Sequence, residues 1–169
     1  MEDLLSPLAH TSNQLDTRLS WHLAQSLDSA LVVSNQHHHR HSTTISRHCM
    51  DTLCDSYASQ LASLDMWHWA IFVLMHMQGD ERRRESCVRL YLAKNVTSES
   101  ELNEREKFCI EQLKVPDAWV YECKAMRAKC VHENLNQFEL LLKAKKWNEA
   151  HAVLIEFLAP DMFLKRKCL

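Results

Sequence analysis

Glycine is almost absent. Gly79 is the single one in 169 residues, and proline occurs three times, at Pro7, Pro116 and Pro160. Sheet proteins need glycine, asparagine and aspartate for tight turns, so a chain this poor in glycine is not built from hairpins. Phosphate cradles are excluded with them, because their backbone takes up conformations that side chains resist. There is no GxSxG nucleophile elbow. No two cysteines are spaced CxxC, which removes a common zinc and thiol-redox signature. No apolar run reaches the roughly 20 residues that cross a bilayer. Neither sign of charge is in excess: 20 Lys and Arg stand against 22 Asp and Glu, a net charge of −2. That balance argues against a nucleic-acid backbone or an anionic membrane surface as a direct partner. The start, MEDLLSPLAH, is acidic and has no apolar core segment, so it does not read as a secretory signal. Without one, the Asn95-Val96-Thr97 sequon is not expected to be used.

What is abundant forms helices. Ala, Leu, Met, Glu, Lys and Arg dominate, and hydrophobic residues at 46% suffice for one sizeable core. The reading is all-α, with about eight helices stacked as antiparallel pairs into an irregular solenoid. Residues 15–33 repeat Leu15, Leu19, Leu23, Leu27, Ala30 and Leu31 at helical spacing. A second helix is predicted from Ile45 to Leu64 and a third between an Asp65 N-cap and a Gly79 stop. A fourth runs from Glu81 to Lys94 with Val88, Tyr91 and Leu92 inward. Ser98 and Glu101 fit a capping box for a fifth, ending near Leu113. Pro116 opens the sixth, whose buried stripe reads Trp119, Cys123, Met126 and Cys130. Leu135, Phe138 and Leu142 mark the seventh. Trp147, Ala150, Leu154, Phe157 and Leu158 mark the eighth, which Pro160 ends. The organisation is an N-terminal extension (1–14), a solenoid segment (15–160) with a His-rich loop at 34–44, and a basic tail (161–169).

The third helix raises a packing question. From Met66 to Met77 the only polar side chains are His68 and His76. A helix that is apolar all round is covered all round. Trp67 and Trp69 point about 200° apart on the wheel, so each is expected to fill a different interface.

Candidate chemistry is thin. His37, His38, His39 and His41 form a tract of potential metal ligands. Adjacent side chains in a polar loop converge poorly on one ion, and His48 and Cys49 help only if the fold brings them in. A solvated loop is the expectation, with no metal and no cofactor. The seven cysteines are Cys49, Cys54, Cys87, Cys109, Cys123, Cys130 and Cys168. Most fall on apolar stripes, where a thiol acts as a small hydrophobe. Glu81-Arg82-Arg83-Arg84-Glu85 reads as a solvated face with local ion pairs. The ending KRKCL could act as a localisation signal, but its cysteine is misplaced for prenylation. Nothing here assembles an enzyme.

Several whole phrases carry a resemblance. LSWHL (19–23), SYASQL (56–61), WHWAIFVLMHM (67–77), LKVPDAWVYECKAMRA (113–128) and KAKKWNEAHAVLIEFLAPD (143–161) are similar in order and spacing to the ninety-six-kilodalton nucleoporin family. The resemblance covers roughly residues 15–162. It implies an α-helical solenoid that serves as a structural scaffold in the Y-shaped subcomplex of the nuclear pore, at the nuclear envelope. Its partners would be other nuclear-pore scaffold proteins, and it would support mRNA export and protein transport. Family members extend further on both sides, HHHRH looks like a local insertion, and the sequence after LAPD departs from the pattern. The chain is therefore expected to be a central fragment, prone to self-association through uncovered helix faces. Two rivals use the same residues: a helical-stack adaptor of a vesicle coat or tether, and a small metal-handling or redox protein built on the histidines and cysteines.

Overall fold

The structure, a computed structural model, describes residues 5–35 and 45–166. It is all-α, and no strand occurs among the described residues. After a 3₁₀ turn at Pro7–Ala9 come α1 (Arg18–Asn35), α2 (Arg47–Ser63), α3 (Trp67–Leu74), α4 (Glu81–Asn95), α5 (Glu104–Glu111), α6 (Asp117–Cys130), α7 (Asn134–Lys143), α8 (Trp147–Val153), a π-helical turn (Leu154–Leu158) and α9 (Ala159–Arg166). Taking α8 to α9 as one interrupted rod gives the expected eight. The chain divides into two compact units, residues 1–88 and 89–169.

The shortage of glycine shapes the helix corners. A helix commonly ends on a left-handed residue, usually glycine. Here Asp65, Lys114, His132 and Lys145 take that conformation, with φ of 58°, 57°, 60° and 61°. Three of these corners share one construction. The amides of Asp65 and Met66 donate to Ala62 and Leu61, those of His132 and Glu133 to Lys129 and Ala128, and those of Lys145 and Lys146 to Leu142 and Leu141. Each is a Schellman pair. Met66, Glu133 and Lys146 then serve as the N-caps of the next helices. Three residues therefore turn the chain between helices, and the turn repeats although the sequence does not. A non-glycine residue in the left-handed region is strained by about 1 kcal/mol. Lys145→Gly is expected to stabilise the chain by about 0.5–1 kcal/mol, read as a higher urea midpoint. An unchanged or lower midpoint would contradict the strain.

In the first unit, α1, α2 and α3 pack in succession. Trp21 is the centre: its indole N–H donates to Cys54 Sγ at 3.3 Å, and its ring lies against Tyr57, Phe72 and His76. Three expectations are corrected. Leu15 and Leu19 are exposed, Leu15 by 79%, and the buried face of this segment is Thr17, Ser20, Trp21 and Ala24; small polar residues disguised it. Asp65 does not cap α3. Gly79 does not stop it either, for α3 ends at Leu74. Past that point His76 and Met77 donate only three residues back, and the amides of Gln78 and Gly79 turn instead to Asp51 Oδ1, at 3.0 and 3.3 Å. The buried Asp51 carboxylate supplies the acceptor that draws the chain out of the helix. A Cβ on Gly79 would lie 2.1 Å from Asp51 Oδ2. The third helix is covered on most sides but not all: Trp67 is buried and Trp69 is 40% exposed.

In the second unit, α6, α7 and α8 pack through Ala125, Ala128, Leu140, Leu141, Ala150 and Val153. On α4, which begins in the first unit and ends in the second, Val88 and Leu92 are buried as expected, and Tyr91 is half-buried. The α6 stripe needs correction. Met126 and Cys130 are exposed, and the inward face carries Val120, Lys124 and Ala128, four residues apart. A lysine at its midpoint hid that face. The capping box also lies elsewhere: Asn103 accepts from the Glu106 amide and Glu106 from the Asn103 amide. Pro160 does not end the last rod. Proline lacks an N–H and its ring crowds the carbonyl four residues back. In the π turn just before it, Ala159 N–H reaches back five residues to Leu154. That wider turn shifts the register, and the helix passes the proline and continues to Arg166.

Candidate interaction surface

Reactive chemistry is not organised among the described cysteines. Burial pushes the thiols of Cys54 and Cys123 up to about 11 and that of Cys109 to about 12. Such thiols stay protonated at neutral pH and are poor nucleophiles. Cys87 is raised by the same cause. Cys130, expected on an apolar stripe, is exposed. His37, His38, His39 and His41 lie outside the described residues. Among the described residues no group of three or more His, Cys, Asp or Glu is placed to hold a metal ion. No described helix is long and apolar enough to cross a membrane.

Charged side chains instead brace the helices. Glu122 on α6 pairs with Arg89 of α4 at 3.0 Å and with Lys146 at 2.9 Å. Partial burial alone would raise its pKa, but Lys146 and Arg89 outweigh this and hold the carboxyl below its ordinary value. Arg89 also stacks on Trp119, 4.7 Å from the ring centre. In the Arg82–Arg84 run, Arg84 pairs locally with Glu81, whereas Arg83 reaches back to Asp55 on α2.

Deeper lies a pair that the sequence did not reveal. Lys124 Nζ sits 2.6 Å from Glu106 Oε2, and both side chains are 0% exposed. The ammonium also donates to Glu101 O at 3.0 Å and Thr97 Oγ1 at 3.4 Å. Glu106 accepts from the amides of Thr97 and Asn103. Every proton of the ammonium and both carboxylate oxygens are therefore engaged, which is the condition under which a buried pair is tolerated. Spacing alone could not have found it, because residues 106 and 124 belong to different helices.

What the surface offers is uncovered apolar area. On the last rod Ala150 and Val153 are the buried residues among those whose side chains are described. Ile155, Phe157, Met162 and Phe163 are exposed, Phe163 by 71%. Between α7 and this rod runs a groove of about 520 Å³ lined by Leu135, Phe138, Leu154, Leu158 and Met162, with His132 and Asn134 at one edge. Trp147, 63% exposed, adds a side chain of the kind enriched at interfaces. Scattered apolar residues are ordinary on a surface; a groove and an open helix face together fit a surface for packing against another helix.

Comparison with known proteins shows the family. The sequence model of the Nup96 family, nuclear protein 96, matches residues 1–127. The chain belongs to the Nup96 family. The nuclear pore complex protein Nup98-Nup96 of Drosophila melanogaster is 34% identical over 99% of this chain. Nucleoporin nup189 of Schizosaccharomyces pombe is 33% identical over 95%, and the nuclear pore complex protein NUP96 of Arabidopsis thaliana is 22% identical over 97%. The chain spans 8%, 9% and 15% of the lengths of these three relatives. The Nup96 resemblance in the sequence phrases is thus borne out, and so is the all-α fold.

Proposed function

We propose that this Nup96-family chain is a structural segment of the nuclear pore complex at the nuclear envelope, holding other nuclear-pore scaffold proteins through its open helix faces. The observation that carries this is the family match over residues 1–127. Helix pairs joined by repeated three-residue corners support a stacked, solenoid-like arrangement that works by shape. The protonated, packed thiols and ion pairs used as braces support a role without catalysis, cofactor or small-molecule substrate. The near-neutral charge supports protein partners rather than nucleic acid. Support of mRNA export and protein transport follows from membership in the pore scaffold. The matching relatives, named as nuclear pore proteins, favour this over a vesicle coat or tether. A fluorescent fusion of the chain is expected to concentrate at the nuclear rim. An even cytosolic distribution, or accumulation on vesicles, would overturn the reading.

A further inference from the structure

We propose that Ser100 is a phosphorylation site and that Lys143 receives the phosphate, clamping the link between α4 and α5 to the end of α7. Residues 96–103 make the longest link between helices within the described residues. It has no helix of its own and is held by side chains from elsewhere in the second unit. Asn136 Nδ2 donates to Ser98 O at 2.6 Å and Lys124 to Glu101 O at 3.0 Å. Lys143 Nζ donates to Ser100 O at 3.1 Å and to Ser100 Oγ at 2.9 Å, on the solvent side. The ammonium also lies 5.6 Å from the Tyr121 ring centre, which fixes its position. Of the three hydroxyls in the link, Ser100 is the one in contact with an exposed cation. Thr97 is placed differently, bonded to the ammonium that already neutralises buried Glu106.

The flanks suit an enzyme that reads acids. Glu99, Glu101 and Glu104 surround Ser100; Ser100 is half-buried between exposed Glu99 and Glu101, in an irregular link that can enter a kinase cleft once it opens. An acid-directed Ser/Thr kinase would transfer the γ-phosphoryl group of ATP to Ser100 Oγ. The Oγ–P bond forms, the bond from the γ-phosphorus to the bridging oxygen breaks, ADP leaves, and the hydroxyl proton passes to the kinase's base. The product carries about −1.5 to −2 charge and three strong acceptors. Against Lys143 this replaces an ammonium–hydroxyl hydrogen bond with a hydrogen-bonded ion pair. Without Lys143 the same phosphate loses its cation and is left beside the glutamates on either side of it in sequence, which repel it. The sign of the effect therefore depends on one side chain.

The test treats the whole chain with an acid-directed Ser/Thr kinase and ATP, maps the phosphate by mass spectrometry, and compares melting temperatures. Phosphate is expected on Ser100, and absent there in Ser100→Ala. Modification should raise the melting temperature by about 2–4 °C, less at about 0.5 M salt, and should lower it in Lys143→Met. Lys143→Arg should retain the rise. Phosphate placed elsewhere in the chain but not on Ser100 would overturn the site. An identical shift with and without the Lys143 charge would overturn the clamp.

Discussion

Replacing Lys124 by methionine should destabilise the chain by about 3–5 kcal/mol, because it leaves the Glu106 carboxylate buried without its cation. The methionine fills much of the same space, so the loss reports the charge rather than a cavity. Glu106 also caps α5 and accepts from the Thr97 amide, and the ammonium holds Glu101 O. The link between α4 and α5 should therefore loosen together with the pair, visible as faster amide exchange at Thr97 and Asn103. Adding Glu106→Gln to Lys124→Met should recover part of the loss, since a neutral amide can still accept at the helix start and no longer needs a counter-ion. Urea unfolding of the four combinations gives the coupling. A single Lys124→Met variant within about 0.5 kcal/mol of the parent would show that the pair does not brace the unit.

The second large effect is expected at the chain's one glycine. Gly79→Ala places a methyl group where Asp51 Oδ2 now sits, at 2.1 Å. The carboxylate must swing away and release the amides of Gln78 and Gly79. Two hydrogen bonds to a charged, buried acceptor are at stake, and a loss of about 2–3 kcal/mol is expected. Gly79 is not in the left-handed region, so the requirement is for space rather than for backbone freedom. In an Asp51→Ala background the same Gly79→Ala change should be nearly neutral. Equal losses in both backgrounds would place the strain elsewhere.

These two sites show where sequence reasoning reached and where it stopped. Helix number and the solvated Arg82–Arg84 turn follow from periodicity, and the structure agrees; the Met66–Met77 segment is only partly covered, with Met66 and Trp69 exposed. Periodicity points to the wrong faces of the Leu15–Leu31 segment and of α6 for one reason: their buried positions include Thr17, Ser20 and Lys124, which no hydropathy pattern assigns to a core. Gly79 reads as a helix stop because glycine usually is one; its real role depends on a carboxylate 28 residues earlier in the chain. The true capping box, Asn103 to Glu106, was displaced by a stronger-looking Ser98 to Glu101. Pro160 reads as a terminator because a widened turn ahead of it cannot be seen in local spacing. The apolar groove beside α7 is legible in the sequence only as separate residues; that Leu135 and Met162 line the same groove follows from the fold.

The most direct test of a pore-scaffold role is affinity capture of the chain from cells with quantitative mass spectrometry, run beside a variant carrying Ile155→Glu, Met162→Glu and Phe163→Glu. Enrichment of nuclear-pore scaffold proteins is predicted for the parent chain, and its loss for the variant, with helical content unchanged by circular dichroism. Capture of coat or tether proteins in their place, or equal recovery of pore proteins with the charged variant, would contradict a scaffold segment working through its open helix face.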